Sequence, residues 1–346
     1  MNPTVWTLLA LGLSTSTIIT MSSHHWILAW LGLELNTLSI LPMILKHHNP
    51  RATEAAVKYF IIQALSAALI LFAGIMNTWQ TGQSSITHMH TPIPTVLVTA
   101  ALAMKLGLAP AHLWYMDIMQ GMTTSTALII TTWQKIAPLA LLYMMLNHLS
   151  GSTLLLIGLT STTVGAWTGL NQTQMRKILA ASSIAHMGWL ITALSLHHSL
   201  ATLTMVTYVI MTAAVFTTMI TTSTKTLQDL GTAWSTTPPL LATTLLATTS
   251  LGGLPPLTGF MPKLLILKEL TLTGLTPMST LLALSTLPSL YFYIRMAYFT
   301  TLTTPPNTTN TEQKWRFKTT HPSNLTVVLL LATMLLPLTP LCHLTM

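Results

Sequence analysis

Long apolar runs alternate with short polar ones along the whole chain. Eleven of the runs reach the roughly 20 residues that a helix needs to cross a bilayer. They cover approximately residues 3–21, 25–45, 54–78, 93–120, 124–146, 150–170, 176–196, 199–222, 238–268, 275–302 and 323–344. Most connections between them are short, which makes neighbouring helices antiparallel. An odd number of crossings puts the two termini on opposite faces. The pattern predicts an all-α, polytopic membrane protein.

Two of these runs, the fourth and the ninth, are unusually long, and both are interrupted. Residues 106–112 read Leu-Gly-Leu-Ala-Pro-Ala-His, and residues 251–257 read Leu-Gly-Gly-Leu-Pro-Pro-Leu. Gly107 weakens a helix, and Pro110 removes a backbone donor and clashes with the preceding turn. The two stretches lie five helices apart. That offset is odd, so the copies should be inverted in the membrane, and inverted repeats with broken helices in matching places point to a transport path. The organisation expected is a first five-helix repeat over 1–148 and a second, inverted one over 149–302. An inside-face loop over 303–322 and a C-terminal transmembrane helix over 323–346 follow.

Composition agrees with a membrane location. Only 6% of the 346 residues are charged, against about 25% in a soluble domain, and mean hydropathy is +0.62. The formal net charge of +8 would suggest nucleic acid in a soluble protein. Here the basic residues fall mainly in loops and report orientation instead. With the N-terminus inside, inside loops carry Lys46, Arg51, Lys58, Arg176, Lys177, Lys225, Lys314, Arg316 and Lys318, and outside loops carry only Lys268. The N-terminus opens directly on a span, with no cleavable signal or Arg-rich transit peptide. A hydrophobic chain without an address is expected when it is made inside the organelle whose membrane it enters.

Once the loops and helix ends are assigned, five charges remain: Glu34, Lys105, Lys135, Lys263 and Arg295. A charge at the centre of a spanning helix costs about 2.5–3.5 kcal/mol on insertion scales. Lys105 precedes the first break, Lys263 follows the second, and Lys135 lies near Pro138 in the fifth run. Glu34 is the only central acid, so at most one lysine can pair with it directly. A buried lysine without a partner charge needs a hydrated surrounding or must give up its proton. A row of such lysines is a candidate proton relay. Arg295, near a helix end, does not release its proton and reads as an interhelical or snorkelling contact. Asp117 and Glu269 lie near helix ends and read as interfacial.

Most of the 13 histidines fall in loops. Adjacent pairs such as His47–His48 suggest wet loop residues rather than a metal site, since adjacent side chains seldom converge on one ion and no acids accompany them. His112, just after the first break, and His186, mid-helix, differ. Each can extend a proton path, and each can equally be a buried histidine bonded to neighbouring backbone. One cysteine, Cys342, excludes an internal disulfide and a cysteine-based cluster. There is no dinucleotide loop, P-loop or catalytic triad pattern. The chain is expected to bind no cofactor and to hold no redox site or metal.

Several longer motifs carry a resemblance. Leu-Gly-Leu-Glu-Leu-Asn-Thr (31–37), Asn-Pro-Arg-Ala-Thr-Glu-Ala-Ala-Val-Lys-Tyr-Phe (49–60), Met-Arg-Lys-Ile-Leu-Ala (175–180), Ser-Ser-Ile-Ala-His-Met-Gly-Trp (182–189) and Gly-Gly-Leu-Pro-Pro-Leu-Thr-Gly-Phe-Met-Pro-Lys (252–263) resemble the antiporter-like membrane subunits of mitochondrial NADH–ubiquinone oxidoreductase, respiratory complex I. The likeness runs over essentially the whole chain, in the shortened animal form with eleven helices. It implies a proton-translocating subunit of the H+-pumping NADH:ubiquinone reductase in the mitochondrial inner membrane. It assigns Glu34 and Lys105 to a carboxylate–lysine pair, Lys135 to a linking lysine and Lys263 to a terminal lysine, with His112 and His186 near the polar axis. NADH, FMN, iron–sulfur clusters and ubiquinone would be handled elsewhere in the complex. Implied partners are other membrane-arm subunits, both antiporter-like and accessory, and membrane lipids such as cardiolipin, with no nucleic acid. The family often has Phe where this chain has Ala111, and Pro-Glu where it has Met116 and Asp117. Two other readings compete: a free-standing cation/proton antiporter, and a spacer that contributes only helices.

Overall fold

The computed structural model describes residues 3–47, 49–89, 91–235, 238–301 and 325–334. Among them every regular element is helical, and extended pairing is limited to two isolated bridges. The chain divides into two compact units, Met1–Ile157 and Gly158–Met346. The first contains α1 (Pro3–Ser22), α2 (Trp26–Ile44), α3 (Pro50–Thr81), α4 (Pro92–Leu106), α5 (Leu113–Gly121), α6 (Thr124–Thr132) and α7 (Ile136–Met144). Helix α8 (Gly151–Gly169) begins in the first unit and ends in the second. The second contains α9 (Met175–Leu196), α10 (His198–Thr222), α11 (Leu227–Thr232), α12 (Pro238–Gly252), α13 (Phe260–Leu272), α14 (Thr276–Thr301) and α15 (Leu325–Met334).

Each predicted apolar run contains at least one described helix. Among the described residues six helical stretches are long and apolar enough to cross a membrane: α1, α2, α3, α9, α10 and the stretch Thr124–Met144. Helix α9 is buried on nearly every face. The inside-face loop over 303–322, with Lys314, Arg316 and Lys318, lies outside the described residues, as do His48, His90, His321, Cys342 and the ends of the C-terminal run.

The broken helices appear where glycine and proline predict them. Helix α4 closes on Gly107, whose φ of +74° is left-handed, and Leu108, Ala109 and Pro110 carry the chain on to α5. Helix α12 closes in the same way, with Gly253 at φ +83° ahead of Pro255 and Pro256. A side chain at φ > 0 is strained, so glycine suits both ends. The left-handed residue of the second break is Gly253, one position beyond the Gly252 that the sequence repeat pairs with Gly107.

Helix α3 starts four residues earlier than its apolar run. Asn49 is extended and Pro50 occupies the first turn, where its missing N–H costs nothing. Arg51 and Lys58, counted above with the inside loops, are therefore helical, as is Glu54. The fifth run is also interrupted: a 3-10 turn over Trp133–Lys135 separates α6 from α7.

Abundant serine and threonine do not leave open polar groups in these helices. Their hydroxyls donate to the carbonyl three or four residues back, as in Thr204 to Ala201 (2.8 Å), Ser182 to Leu179 (2.8 Å) and Thr248 to Leu245 (3.0 Å). Each unit also ties two of its own connections together with a short extended bridge. In unit 1 His25 pairs with Ser85, between the α1–α2 and α3–α4 connections, and in unit 2 Gln174 pairs with Thr226, between the α8–α9 and α10–α11 connections.

Candidate functional site

In unit 1 four helices and one turn bring the polar residues together. Lys105 occupies the last turn of α4 and is buried, at 8% exposure. The negative end of the helix dipole favours a cation there. Its Nζ lies 3.5 Å from Gln63 Oε1 on α3, a long contact. Glu34, half-buried on α2, accepts from the Thr37 hydroxyl at 3.0 Å. It makes no ion pair with Lys105, but its charge acts on both Lys105 and the Tyr59 hydroxyl. Glu34 and Lys105 are thus coupled across a gap rather than in contact.

Lys135 is the most deeply buried lysine among the described residues, at 3% exposure. Its Nζ sits 5.1 Å from the centroid of the Tyr115 ring, on the half-helix that follows the first break. A ring face attracts an ammonium more strongly when both are dry. The turn carrying Lys135 is pinned to α2 by Gln134, whose Nε2 donates to Asn36 Oδ1 at 2.9 Å. Lys105 and Lys135 line one cavity of ≈ 20 Å³, with Asn36, Tyr59, Gln63 and Trp114 also on its wall. That is room for about one water. The buried Trp114 indole N–H on this wall has no protein acceptor, and a water there would satisfy it.

In unit 2 the arrangement differs. Lys263, 9% exposed, lies in the first turns of α13 and reaches back across the break. Its Nζ donates to the carbonyl of Gly252, the last residue of α12, at 3.0 Å. A carbonyl at a helix C-terminus has no intrahelical donor and carries partial negative charge. A second cavity of ≈ 20 Å³ joins Lys263 to His186, with Thr204, Thr207 and Tyr208 of α10 on its wall. Tyr293 Oη lies 3.3 Å from His186 Nε2, with the donor set by the ring tautomer. The His186 ring also packs on Tyr208, centroids 5.7 Å apart.

His112 is placed otherwise. It is buried at the start of α5, and its Nδ1 lies 3.1 Å from the Pro110 carbonyl. The ring contacts local backbone and is not on the wall of the Lys105–Lys135 cavity. Arg295 donates from Nη1 to the Leu170 carbonyl at 3.0 Å, just past the end of α8. This is the interhelical contact that its position suggested. Asp117 is engaged as well: Lys58 Nζ lies 2.9 Å from Asp117 and 2.8 Å from Glu54. Among the described residues no group of three or more His, Cys, Asp or Glu is placed to hold a metal ion.

Sequence reasoning did not single out Gln63, Trp114, Tyr115, Tyr208 or Tyr293. Gln63 had a signal, as an amide in the apolar stretch Phe-Ile-Ile-Gln-Ala-Leu. The aromatic residues gave none, because their part in the site depends on which helices meet.

A family model described as NADH:quinone oxidoreductase/Mrp antiporter, transmembrane, matches residues 23–289, and one described as NADH dehydrogenase subunit 2 C-terminus matches residues 290–343. The chain is 51% identical over 341 residues to NADH-ubiquinone oxidoreductase chain 2 of Carassius auratus, covering 98% of each. It is 49% identical over 341 residues to the protein of that name from Tetraodon nigroviridis, again covering 98% of each. A solved structure of respiratory complex I from Thermus thermophilus with bound aureothin contains a similar chain. The TM-score is 0.81 at 25% identity, covering 97% of this chain and 80% of that one.

Proposed function

The chain belongs to the NADH-ubiquinone oxidoreductase chain 2 family, and from that premise we propose that it moves protons as a core membrane-arm subunit of respiratory complex I. Its place is the mitochondrial inner membrane, beside other membrane-arm subunits. NADH, FMN, iron–sulfur clusters and ubiquinone are the business of those other subunits, and a chain with one cysteine is consistent with that division. Eleven crossings, with the second repeat inverted, are supported by the eleven apolar runs and the two matching helix breaks. The excess of basic residues in alternate loops supports a matrix N-terminus and an intermembrane-space C-terminus.

The relay runs from Glu34 and Lys105 through Lys135 toward Lys263. The observation that carries it is the cavity in unit 1 with both Lys105 and Lys135 on its wall and Glu34 within electrostatic reach. A carboxylate near an ammonium stabilises its charge, and withdrawing the carboxylate drives the proton off. Redox chemistry elsewhere would act by changing the distance between Glu34 and Lys105. Lys135, over the Tyr115 ring, then accepts the proton, and Lys263, held by the Gly252 carbonyl, is the last buried station. His186 and Tyr293 extend the polar path around Lys263.

The test is Lys105→Met and Lys263→Met in the assembled complex in sealed vesicles. Each should lower proton pumping coupled to quinone reduction by about tenfold or more. Wild-type pumping and quinone reduction in both variants would reduce the chain to a spacer.

A further inference from the structure

Among the described residues, unit 2 contains no acid beside its buried lysine. Its two described acids are Asp229 and Glu269. The Asp229 carboxylate accepts from the backbone N–H groups of Lys225 (3.0 Å) and Thr226 (2.8 Å), so it is locked into the cap of α11. Glu269 is different. Its carboxylate accepts no hydrogen bond among the described residues, and its side chain is 27% exposed. It lies on α13, the half-helix of Lys263, six residues or roughly 9 Å further along the axis. Its Oε2 is 3.7 Å from His197 Nε2, at the corner between α9 and α10. The wall of the Lys263 cavity draws on the same helices, α13 and α10, together with His186 and Trp189 of α9: Ile266 lies between Lys263 and Glu269 on α13, and Thr204 and Thr207 lie about two and three turns into α10 from His197.

We propose that Glu269 and His197 form the proton-release pair of unit 2. This rests on the relay reading above, in which Lys263 is the last buried station, and it names where the proton leaves. The Lys263 ammonium loses its proton and becomes an amine, and the Glu269 carboxylate gains it and becomes an acid. The α10 hydroxyls and intervening water carry the proton between them. The acid then passes its proton to neutral His197, which leaves a carboxylate–imidazolium pair, and solvent takes the proton from the imidazolium. Both residues end as they began. A rim carboxylate with free lone pairs suits this step, because it can take a proton without breaking an existing bond. His197, 62% exposed, reaches solvent, and an imidazole ring can both accept and donate a proton. The other titratable or charged groups on the elements that meet here are Arg176, Lys177 and His186 on α9, His198 and Tyr208 on α10, and Lys263 and Lys268 on α13, and α14, packed against α13, adds Tyr291, Tyr293, Arg295 and Tyr298. The orientation proposed above puts the pair on the intermembrane-space side.

The experiment uses the assembled complex in proteoliposomes with the pH of that side controlled, and compares Glu269→Gln, Glu269→Asp, His197→Gln and Lys263→Met. Glu269→Gln should slow pumping by about tenfold. His197→Gln should slow it less and change its dependence on the pH of the release side. Glu269→Asp, which keeps the carboxylate, should recover most of the rate. If Lys263→Met abolishes pumping while Glu269→Gln and His197→Gln keep the wild-type rate and pH profile, the release pair is wrong and the relay stands. If Lys263→Met pumps normally, the relay itself fails and the release pair falls with it. Should Glu269→Gln not assemble, the His197→Gln profile decides: a changed profile supports the pair and an unchanged one overturns it.

Discussion

Each unit breaks a helix and places a lysine at the break, but from opposite sides. Lys105 belongs to the helix that ends there, and Lys263 belongs to the helix that begins there and reaches back. Both ammonium groups therefore lie near a helix C-terminus, where partial negative charge is available without an acid. What differs is the additional partner. Unit 1 supplies a carboxylate, Glu34, across a gap. Unit 2 supplies a backbone carbonyl in direct contact. A carboxylate on a separate helix can be moved relative to its lysine, while a carbonyl at the break moves only if the break itself does. The comparison suggests that unit 1 is where an outside signal is received and unit 2 is where a proton is held until release.

The largest effect that bears on this contrast should come from arginine. Lys105→Arg and Lys263→Arg keep the charge but not the ability to release a proton. Both should cut pumping by about tenfold or more, measured as acidification per NADH oxidised with assembly confirmed. If either pumps normally, that site works as a fixed charge, and the contrast between receiving and holding collapses.

Next come the two glycines. A side chain at φ > 0 costs about 1–2 kcal/mol, so Gly107→Ala and Gly253→Ala should destabilise their breaks comparably. Their activities should diverge. A Cβ at Gly253 would lie 2.9 Å from Lys263 Nζ, and one at Gly107 would lie 3.3 Å from Tyr115. Gly253→Ala should therefore disturb pumping more than it disturbs assembly, and Gly107→Ala should affect the two in proportion. Measuring complex content and pumping in parallel separates them.

Ion pairs at the surface should matter less. Lys58 spans Glu54 and Asp117 and clamps α5 to α3, but all three side chains are well exposed. Such pairs are screened by water and contribute little. Lys58→Met should leave the thermal unfolding midpoint nearly unchanged, and a clear drop would mean that α5 is held mainly at this point.

The smallest effect concerns the bridges between connections. In unit 1 the bridge is closed by a histidine, with Ser84 Oγ 2.7 Å from His25 Nδ1. In unit 2 it is closed by Asp229, which makes a reciprocal cap with Thr226. Partial burial pushes the Asp229 carboxyl up, but the N–H groups of Thr226 and Lys225, the Thr226 hydroxyl and the Lys225 charge outweigh it and hold the carboxyl below its ordinary value. A carboxyl lowered by folding contributes stability above its unfolded pKa and loses it as pH falls through the folded one. The unit 2 bridge should thus persist through mild acidification and open only below the usual carboxylate range. Hydrogen exchange at the Thr226 amide, followed from neutral to acid pH, checks this. Opening near neutral pH would contradict it.

Much of this was legible in the sequence, for physical reasons that differ from residue to residue. Lys105, Lys135, Lys263 and Glu34 stood out because a charge in an apolar run is costly, and Gly107 and Pro110 because few residues end a helix so firmly. The helical breaks followed from the same rules. The start of α3 at Pro50 lies ahead of the apolar run at 54, because hydrophobicity marks where a helix enters lipid, while Asn49 and Pro50 mark where its hydrogen bonding begins. The one-residue shift from Gly252 to Gly253 could not be seen by matching letters, since either glycine can adopt φ > 0. The Tyr115 ring at Lys135 and the gap between Glu34 and Lys105 depend on how helices pack, and a local pattern carries no record of that.

In the proposed relay, the bond from Lys263 to Gly252 would make the second break a transducer. The acceptor is not a side chain that can swing away but the end of a helix, fixed in the chain that leads into Gly253 and the two prolines. Tension applied to that segment would change the distance to the ammonium directly, so in that relay mechanical work on the backbone would be converted into a change in proton affinity with no intervening part. A pump built this way has its lever and its valve in the same few residues.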